Sequence, residues 1–535
     1  MDLNRFSSQN RLEKIALFAF FFLTWVFFVL NHGYDFGAAD QDEMIPYLQH
    51  LLDPNLYTKD WFVQSLQHGI NVRTYFVYAL WLPSTFLPMS WVFGLGYALV
   101  WSIVLYTCYQ LVMEMSGSRL VGYCTVFVNT VLLHKATFGS NDLVYTELLP
   151  ESVGWALILP ALLYFLRKKY NLSAVLLGFG TMFHLISGLV TVIILGLVLV
   201  VMVLKKELSM RQLLQFSSIF GLVASPIIVP IALNQFLHPV HSSSPSIFYL
   251  LSQLRLPHHH LFFSFNFGRS VVYSILGFGG IVAFWRGYST LPQDVSLFLK
   301  RFMLIALAIC VFAVIFTEVF PVLLVAKLQF FKMSVLLKFI WVMLIFHWLF
   351  HWLRTRLPQT WLVPEIWIYR GIFGATLLAF LWIGFQFYQQ NGAFYAKIYP
   401  VTYASSDLGK MEQYIGTHTP LDALVVVQPS NTTLRSTAKR AILVNWLAFP
   451  FEDAQMLVWY RRLQDIAPFD PPDRGKLMTE FLDKAFYQSL PTQLSLLKNR
   501  YSIQYILVDQ NELKTDLPLP VLHQQGSWRL YTVAK

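Results

Sequence analysis

Long apolar runs recur through the first three quarters of this chain, and nothing else about it constrains the fold so tightly. A helix that crosses a bilayer needs about 20 predominantly apolar residues. Such runs lie at 15–31, 91–113, 120–133, 153–166, 173–183, 185–204, 213–233, 271–284, 302–316, 335–349 and 372–387. They are continuous rather than alternating, which argues against a closed barrel and predicts a polytopic α-helical membrane protein of about eleven spans. The charge content agrees. Only 13% of the 535 residues are charged, against about 25% in soluble domains. A shorter run at 75–87 ends at Pro88 and is expected to dip only into the interface.

The net charge of +10 does not indicate a nucleic-acid partner, because most basic residues sit in short turns between spans. Residues 1–14 are basic, and no small-residue cleavage site follows the first run, so it reads as a retained span with a cytoplasmic N-terminus. One set of turns then holds Arg119, Arg167–Lys169, Lys205, Lys206, Arg211, Arg286, Lys300, Arg301, Arg354 and Arg356, as the positive-inside rule demands of inner turns. The stretch 173–204 has such charges at both ends. It therefore reads as a hairpin with His184 and Ser187 near its outer tip. Cys108, Cys124 and Cys310 lie inside apolar runs and read as small core residues.

Two units are expected: residues 1–394, transmembrane with acidic outer loops at 32–74 and 134–152, and residues 395–535, a soluble extracytoplasmic α/β domain. In the second, strand-like runs at 423–427, 441–446, 504–509 and 528–533 alternate with helical patterns at 406–415, 451–463 and 475–497.

The outer segments carry the unusual chemistry. Residues 35–61 hold Asp35, Asp40, Asp42, Glu43, Asp53 and Asp60. The second acidic loop holds Asp142 and Glu147, with Glu151 just beyond. A cationic set follows: Arg73, Arg255, His258-His259-His260, Arg269 and Lys332. Carboxylates crowded at a membrane face repel one another, so one keeps its proton or a cation or ligand neutralises them. A cleft with carboxylates facing Arg, Lys and His suits transfer from a phosphate leaving group. A carboxylate takes a proton from an acceptor hydroxyl, and the cations hold the phosphate. Plainer roles fit other residues. Asp53 reads as turn chemistry and Asp60 as a solvated loop acid. Arg435 and Arg440 read as an anion site or, in preference, as surface pairs, and Asn431-Thr-Thr as a glycosylation sequon without context.

A retained first span, two acidic outer loops, many spans and a terminal α/β domain together resemble the GT-C superfamily of integral-membrane glycosyltransferases. The segment DQDEMIPYLQHLLDPNLYTKDWF is also similar to a set of bacterial multi-span proteins, as are PHHHLF at 257–262, LRSTAKRAILVNW from Leu434 and VWYRRL from Val458. The resemblance implies an enzyme of the bacterial inner membrane with its C-terminal domain outside. It would move a hexose or pentose, with inversion, from a polyprenyl-phosphate donor to a glycan, lipid or protein acceptor. It places the base, or a metal ligand, at Asp40 or Asp42 with Glu43 adjacent, and the second-loop acid at Asp142 or Glu147. A divalent metal such as Mg or Mn would sit at Asp40, Asp42 and Asp142. Two other classes compete: a non-catalytic envelope-assembly protein, and a transporter or flippase for lipid-linked glycans. The transporter predicts charges at mid-span and two related halves.

Overall fold

The computed structural model describes residues 3–237, 240, 243–358, 365–470, 478–513 and 515–533. Eight of its helices are long and apolar enough to cross a membrane: Glu13–His32, Met89–Ser116, Leu185–Leu204, Met210–Leu237, Phe267–Thr290, Gln293–Val319, Leu323–Arg356 and Trp367–Gln389. Three shorter apolar helices, Arg119–Leu132, Pro150–Leu166 and Tyr170–Phe183, complete the bundle. Thr74–Ser84, followed by Pro88, is an 11-residue helix, too short to cross. It leaves Tyr78, Trp81 and Leu82 exposed, as an interfacial segment would.

Salt bridges tie the basic turns together. Arg119 meets Glu13 at 2.9 Å, Arg167 meets Glu114 at 2.8 Å, Lys168 meets Asp294 at 2.5 Å and Arg301 meets Glu207 at 2.6 Å. Each is more than a third exposed on at least one side and adds little stability. Together they mark one end of the bundle. The run 170–204 breaks at His184, whose ring accepts from the Ser187 amide and caps the second helix. Its two ends bond to the same helix, Gln293–Val314, through Lys168 and Glu207. The hairpin closes tightly: a Cβ on Gly188 would sit 2.1 Å from Thr181 Oγ1.

Five strands form one sheet: β1 (Leu424–Val426), β2 (Ala441–Ile442), β3 (Tyr505–Asp509), β4 (Val521–Gln525) and β5 (Trp528–Thr532), in the order β2-β1-β3-β5-β4. β1 runs parallel to β2 and β3, whereas β5 is antiparallel to β3 and β4. β4 was not expected from its sequence. Val521 and Leu522 are exposed at this sheet edge, so the strand lacks a buried apolar face and is held by its hairpin to β5. The expected strand 441–446 stops at Ile442, and the chain continues as a loop. Helices Asp407–His418, Asp453–Ile466 and Met478–Tyr501 pack with the sheet. Residues 475–477 of the expected third helix lie outside the described residues. The sheet's core also takes in Ile247, Leu250, Leu251, Leu254 and Leu256, which lie between two spans.

The 35–61 stretch lies against this second layer. The Ser436 hydroxyl donates to Gly37 O at 2.7 Å, the Ala39 amide to Thr432 Oγ1 at 3.2 Å, and Gln49 Nε2 to Ser436 O at 3.2 Å. Asp53 takes the Asn55 amide in an Asx turn, as its sequence suggested. Asp60 departs from expectation. It is fully buried, caps the helix Trp61–Ser65 through the Val63 amide, and accepts from Arg435 at 2.8 Å.

Candidate functional site

A cavity of about 850 Å³ lies where the two layers meet. Its lower wall comes from helix ends: Pro150 and Glu151, His184 and Leu185, Arg269 and Lys332. These are the ends opposite the salt-bridged basic turns. Its roof is the loop after β2, with Trp446, Leu447, Phe449 and Phe451. The two acidic loops meet in it. Asp40 arrives on the tight turn Ala39–Glu43, and Glu147 on the second loop.

Asp40 is exposed to the cavity and makes no hydrogen bond or ion pair among the described residues. Asp42, two residues on, is in a different environment. It is 1% exposed and accepts from Arg435 Nη1 at 2.9 Å and Asn445 Nδ2 at 2.6 Å. Burial pushes its carboxyl up to about 6, against the lowering effect of Arg435. A 3₁₀ turn rotates successive side chains by about a third of a circle, so one carboxylate reaches the cavity while the other enters the interlayer core. The assignment of Asp42 as a catalytic base is thereby corrected: its Oδ2 holds the two layers together. Glu43 reaches the cavity wall but is engaged. It accepts from Arg73 Nε at 2.9 Å and from the Phe449 amide at 3.3 Å.

The cations divide likewise. Arg73 is held by Glu43, donates to Phe449 O at 2.7 Å, and lies between the rings of Phe62 and Phe451. Lys332 donates to Glu151 at 2.6 Å and Asn141 at 3.2 Å. Neither is free to neutralise a ligand, contrary to expectation. Arg255 forms no ion pair among the described residues, though Glu43 and Asp40 lie near it. It ends a π-helical turn, Tyr249–Arg255, stacks over Trp446 and Phe449, and gives Nη2 to Leu447 O at 3.1 Å. It is 8% exposed, and its Nε has no partner among the described residues. Arg269 Nη1 donates to the Ser140 hydroxyl at 2.9 Å and forms no ion pair among the described residues. Lys135 is a third such cation, with its ammonium 5.7 Å from the Tyr145 ring centre.

His258 lines the cavity, but burial and the neighbouring Arg255, Lys135 and Arg269 lower its pKa to about 4. It is therefore neutral at pH 7 and offers a hydrogen bond rather than a charge. His259 also lines the cavity with its Nδ1 bonded to Gly139 O at 2.7 Å, whereas His260 does not line it and its Nδ1 meets Ser252 Oγ at 3.0 Å.

Asp142 is fully buried and does not line the cavity. Its carboxylate gathers Lys338 Nζ at 3.0 Å, the Lys135 amide at 2.5 Å and the Leu143 amide at 2.7 Å, with His134 Nδ1 3.3 Å away. Burial alone would raise its pKa, but Lys338 and His134 together hold it below the usual range. Asp142 is thus the knot of the second loop, not its reactive acid. It fixes the turn from which Lys135 and Glu147 reach the cavity. Lys338→Met would strand a buried carboxylate and should cost roughly 3–5 kcal/mol. Adding Asp142→Asn should return most of that loss, as read by thermal unfolding in detergent. Equal melting of single and double variants would reject the knot.

Asp40, Asp42 and Asp142 therefore do not converge, and a divalent metal does not fit there. Two of the three are consumed by Arg435 and Lys338. Among the described residues no group of three or more His, Cys, Asp and Glu could hold a metal ion.

Residues 406–466 match a family model described as a domain of unknown function (DUF6798). That stretch carries Arg435, Asn445 and the cavity roof. No curated protein matches the chain. The chain is similar to two crystal structures of ArnT from Cupriavidus metallidurans. One is bound to undecaprenyl phosphate, with TM-score 0.47, 13% identity and 98% of each chain covered. The other is the apo state, with TM-score 0.45, 13% identity, and 99% of this chain and 98% of that chain covered.

Arg435 and Arg440 are not the surface pairs expected. Arg435 is 1% exposed between Asp42 and Asp60. Arg440 donates to the carbonyls of Gly416, Thr419, Ala438 and Lys439. The sequon's Asn431 is buried and bonded to Glu412 at 3.0 Å, out of reach of a modifying enzyme. The cavity roof had no legible signal. Trp446 ends the expected strand 441–446 and Phe451 begins the expected helix 451–463, and only the loop after Ile442 turns them, with Phe449, over the site.

Proposed function

We propose that the chain is a GT-C-like, inverting glycosyltransferase that takes its sugar from a polyprenyl-phosphate donor. The carrying observation is the charge balance in one cavity at the membrane end of the bundle. Arg73 is cancelled by Glu43, and Lys332 by Glu151. Among the described residues Arg255, Lys135 and Arg269 form no ion pair, and they share the cavity with the unpartnered carboxylate of Asp40. Unpaired cations in a partly dry site favour an anionic occupant. An open carboxylate beside them can act as a base.

In this reading the acceptor hydroxyl gives its proton to Asp40 as its oxygen attacks the anomeric carbon. The bond from that carbon to the phosphate oxygen breaks, and the electron pair leaves with the phosphate. Arg255, Lys135 and Arg269 stabilise the charge that accumulates there. The roof and the apolar helix ends keep water from competing. The basic turns face the cytoplasm, and the cavity and sheet face outward, in a bacterial inner membrane. The acceptor is a glycan, lipid or protein hydroxyl.

Arg255→Met keeps the stacking volume and removes the charge. It should weaken binding of undecaprenyl phosphate by about 10–100-fold, the worth of a charge-assisted contact. Isothermal titration in nanodiscs reads this directly. Unchanged affinity, or no binding by the parent protein, would remove the phosphate site and the reading with it.

A further inference from the structure

Glu147 stands apart from every other carboxyl near the cavity. It is 5% exposed and lines the wall, and the backbone amide of Gln41 lies within hydrogen-bonding reach of it. Its Oε2 is buried without a partner. A buried polar group in this condition is costly, and it persists where a ligand completes it. No cation lies within ion-pair reach among the described residues. The charged and titratable groups that face it are Asp40 from the Ala39–Glu43 turn, Asp35 from the loop before it, Lys135 from its own loop and Tyr97 from the Met89–Ser116 helix. Two of these are carboxylates, and only Lys135 opposes them.

Resting on the glycosyl-lipid reading above, we propose that Glu147 is an uncharged carboxylic acid that donates a hydrogen bond to the sugar of the donor, forming a sugar subsite distinct from the phosphate-binding cations. Two carboxyls that share one wall cannot both ionise cheaply. Asp40 is open to water, whereas Glu147 is enclosed. Burial first, then Asp40 and Asp35, push the Glu147 carboxyl well above its ordinary value. The retained proton makes Glu147 a donor. A sugar's ring and hydroxyl oxygens accept from it with no added charge beside Asp40. An ionised glutamate would accept only, and would repel the departing phosphate.

The test compares undecaprenyl phosphate with its glucosyl, mannosyl, galactosyl and arabinosyl derivatives, titrated into the full chain in nanodiscs. The parent protein should bind at least one glycosyl lipid about tenfold more tightly than the bare phosphate. That preference should fall as pH rises through the raised Glu147 pKa and the proton is lost. Glu147→Gln, neutral and still a donor, should keep the preference. Glu147→Ala should lose it while binding the bare phosphate as before, which also shows that the variant is folded. A preference that survives in the alanine variant, or vanishes in the glutamine variant, overturns the proposal. So does bare-phosphate binding with no preference for any of the four sugars; the phosphate site would still stand. Failure of the parent protein to bind any of the lipids overturns the glycosyltransferase reading and this inference together.

Discussion

Asp40→Asn should abolish glycosyl transfer while leaving the protein as stable as its parent. Asparagine keeps the size and polarity of the side chain but cannot take a proton. A positioned base contributes about 10²–10⁴-fold to rate, and the loss should be of that order. The stability should not change, because Asp40 makes no hydrogen bond or ion pair among the described residues and removing its charge breaks none. The contrast with its neighbour sharpens the test. Asp42→Asn should act through stability, since Asp42 binds Arg435 and Asn445 in the interlayer core. Turnover of a polyprenyl-phosphate sugar in proteoliposomes, beside melting curves for both variants, separates the two. A rate within about twofold of the parent for Asp40→Asn would eliminate Asp40 as the base.

Arg435→Met should be the most damaging single change outside the cavity. Arg435 is wholly enclosed, with Asp60 at 2.8 Å and Asp42 at 2.9 Å, and its carbonyl accepts from the Tyr57 hydroxyl at 2.6 Å. Methionine would leave two buried carboxylates facing each other without a cation. Breaking a buried pair in this way costs roughly 3–5 kcal/mol, a large share of the margin of a typical fold. The effect should reach the cavity too. Asn445, which Arg435 and Asp42 both hold, directly precedes Trp446 in the roof. Limited proteolysis should then cut the loop after β2 faster, and the melting temperature should fall. Adding Asp42→Asn and Asp60→Asn should recover much of the stability, because the uncompensated charges disappear. An unchanged melting temperature for Arg435→Met alone would show that the two layers are joined by something else.

Several features were legible in the chain for simple reasons. A run of apolar residues has no alternative to helix in a bilayer, so the spans could be read to within a turn at most ends. The His184 tip followed from the charges at both ends of 173–204. The side chains gathered at the cavity were also visible as types: Asp40, Glu43, Arg73, Glu147, Arg255, His258, Arg269 and Lys332 all line it. Their working states were not visible. Whether a cation is free depends on which carboxylate lies within about 3 Å, and those partners are distant in the chain. Lys332 meets Glu151 181 residues away, and Arg435 meets Asp42 393 residues away.

The acidic motif shows the division most plainly. Composition and hydropathy determined that the chain crosses a membrane many times and that charges collect beyond the spans, because a bilayer excludes unpaired charge whatever the detailed packing. Which of Asp40 and Asp42 faces open space was decided by a 3₁₀ turn and by an arginine that arrives from the far end of the chain. Adjacent letters in a sequence carry the same chemistry until folding sets one against water and the other against a fixed charge.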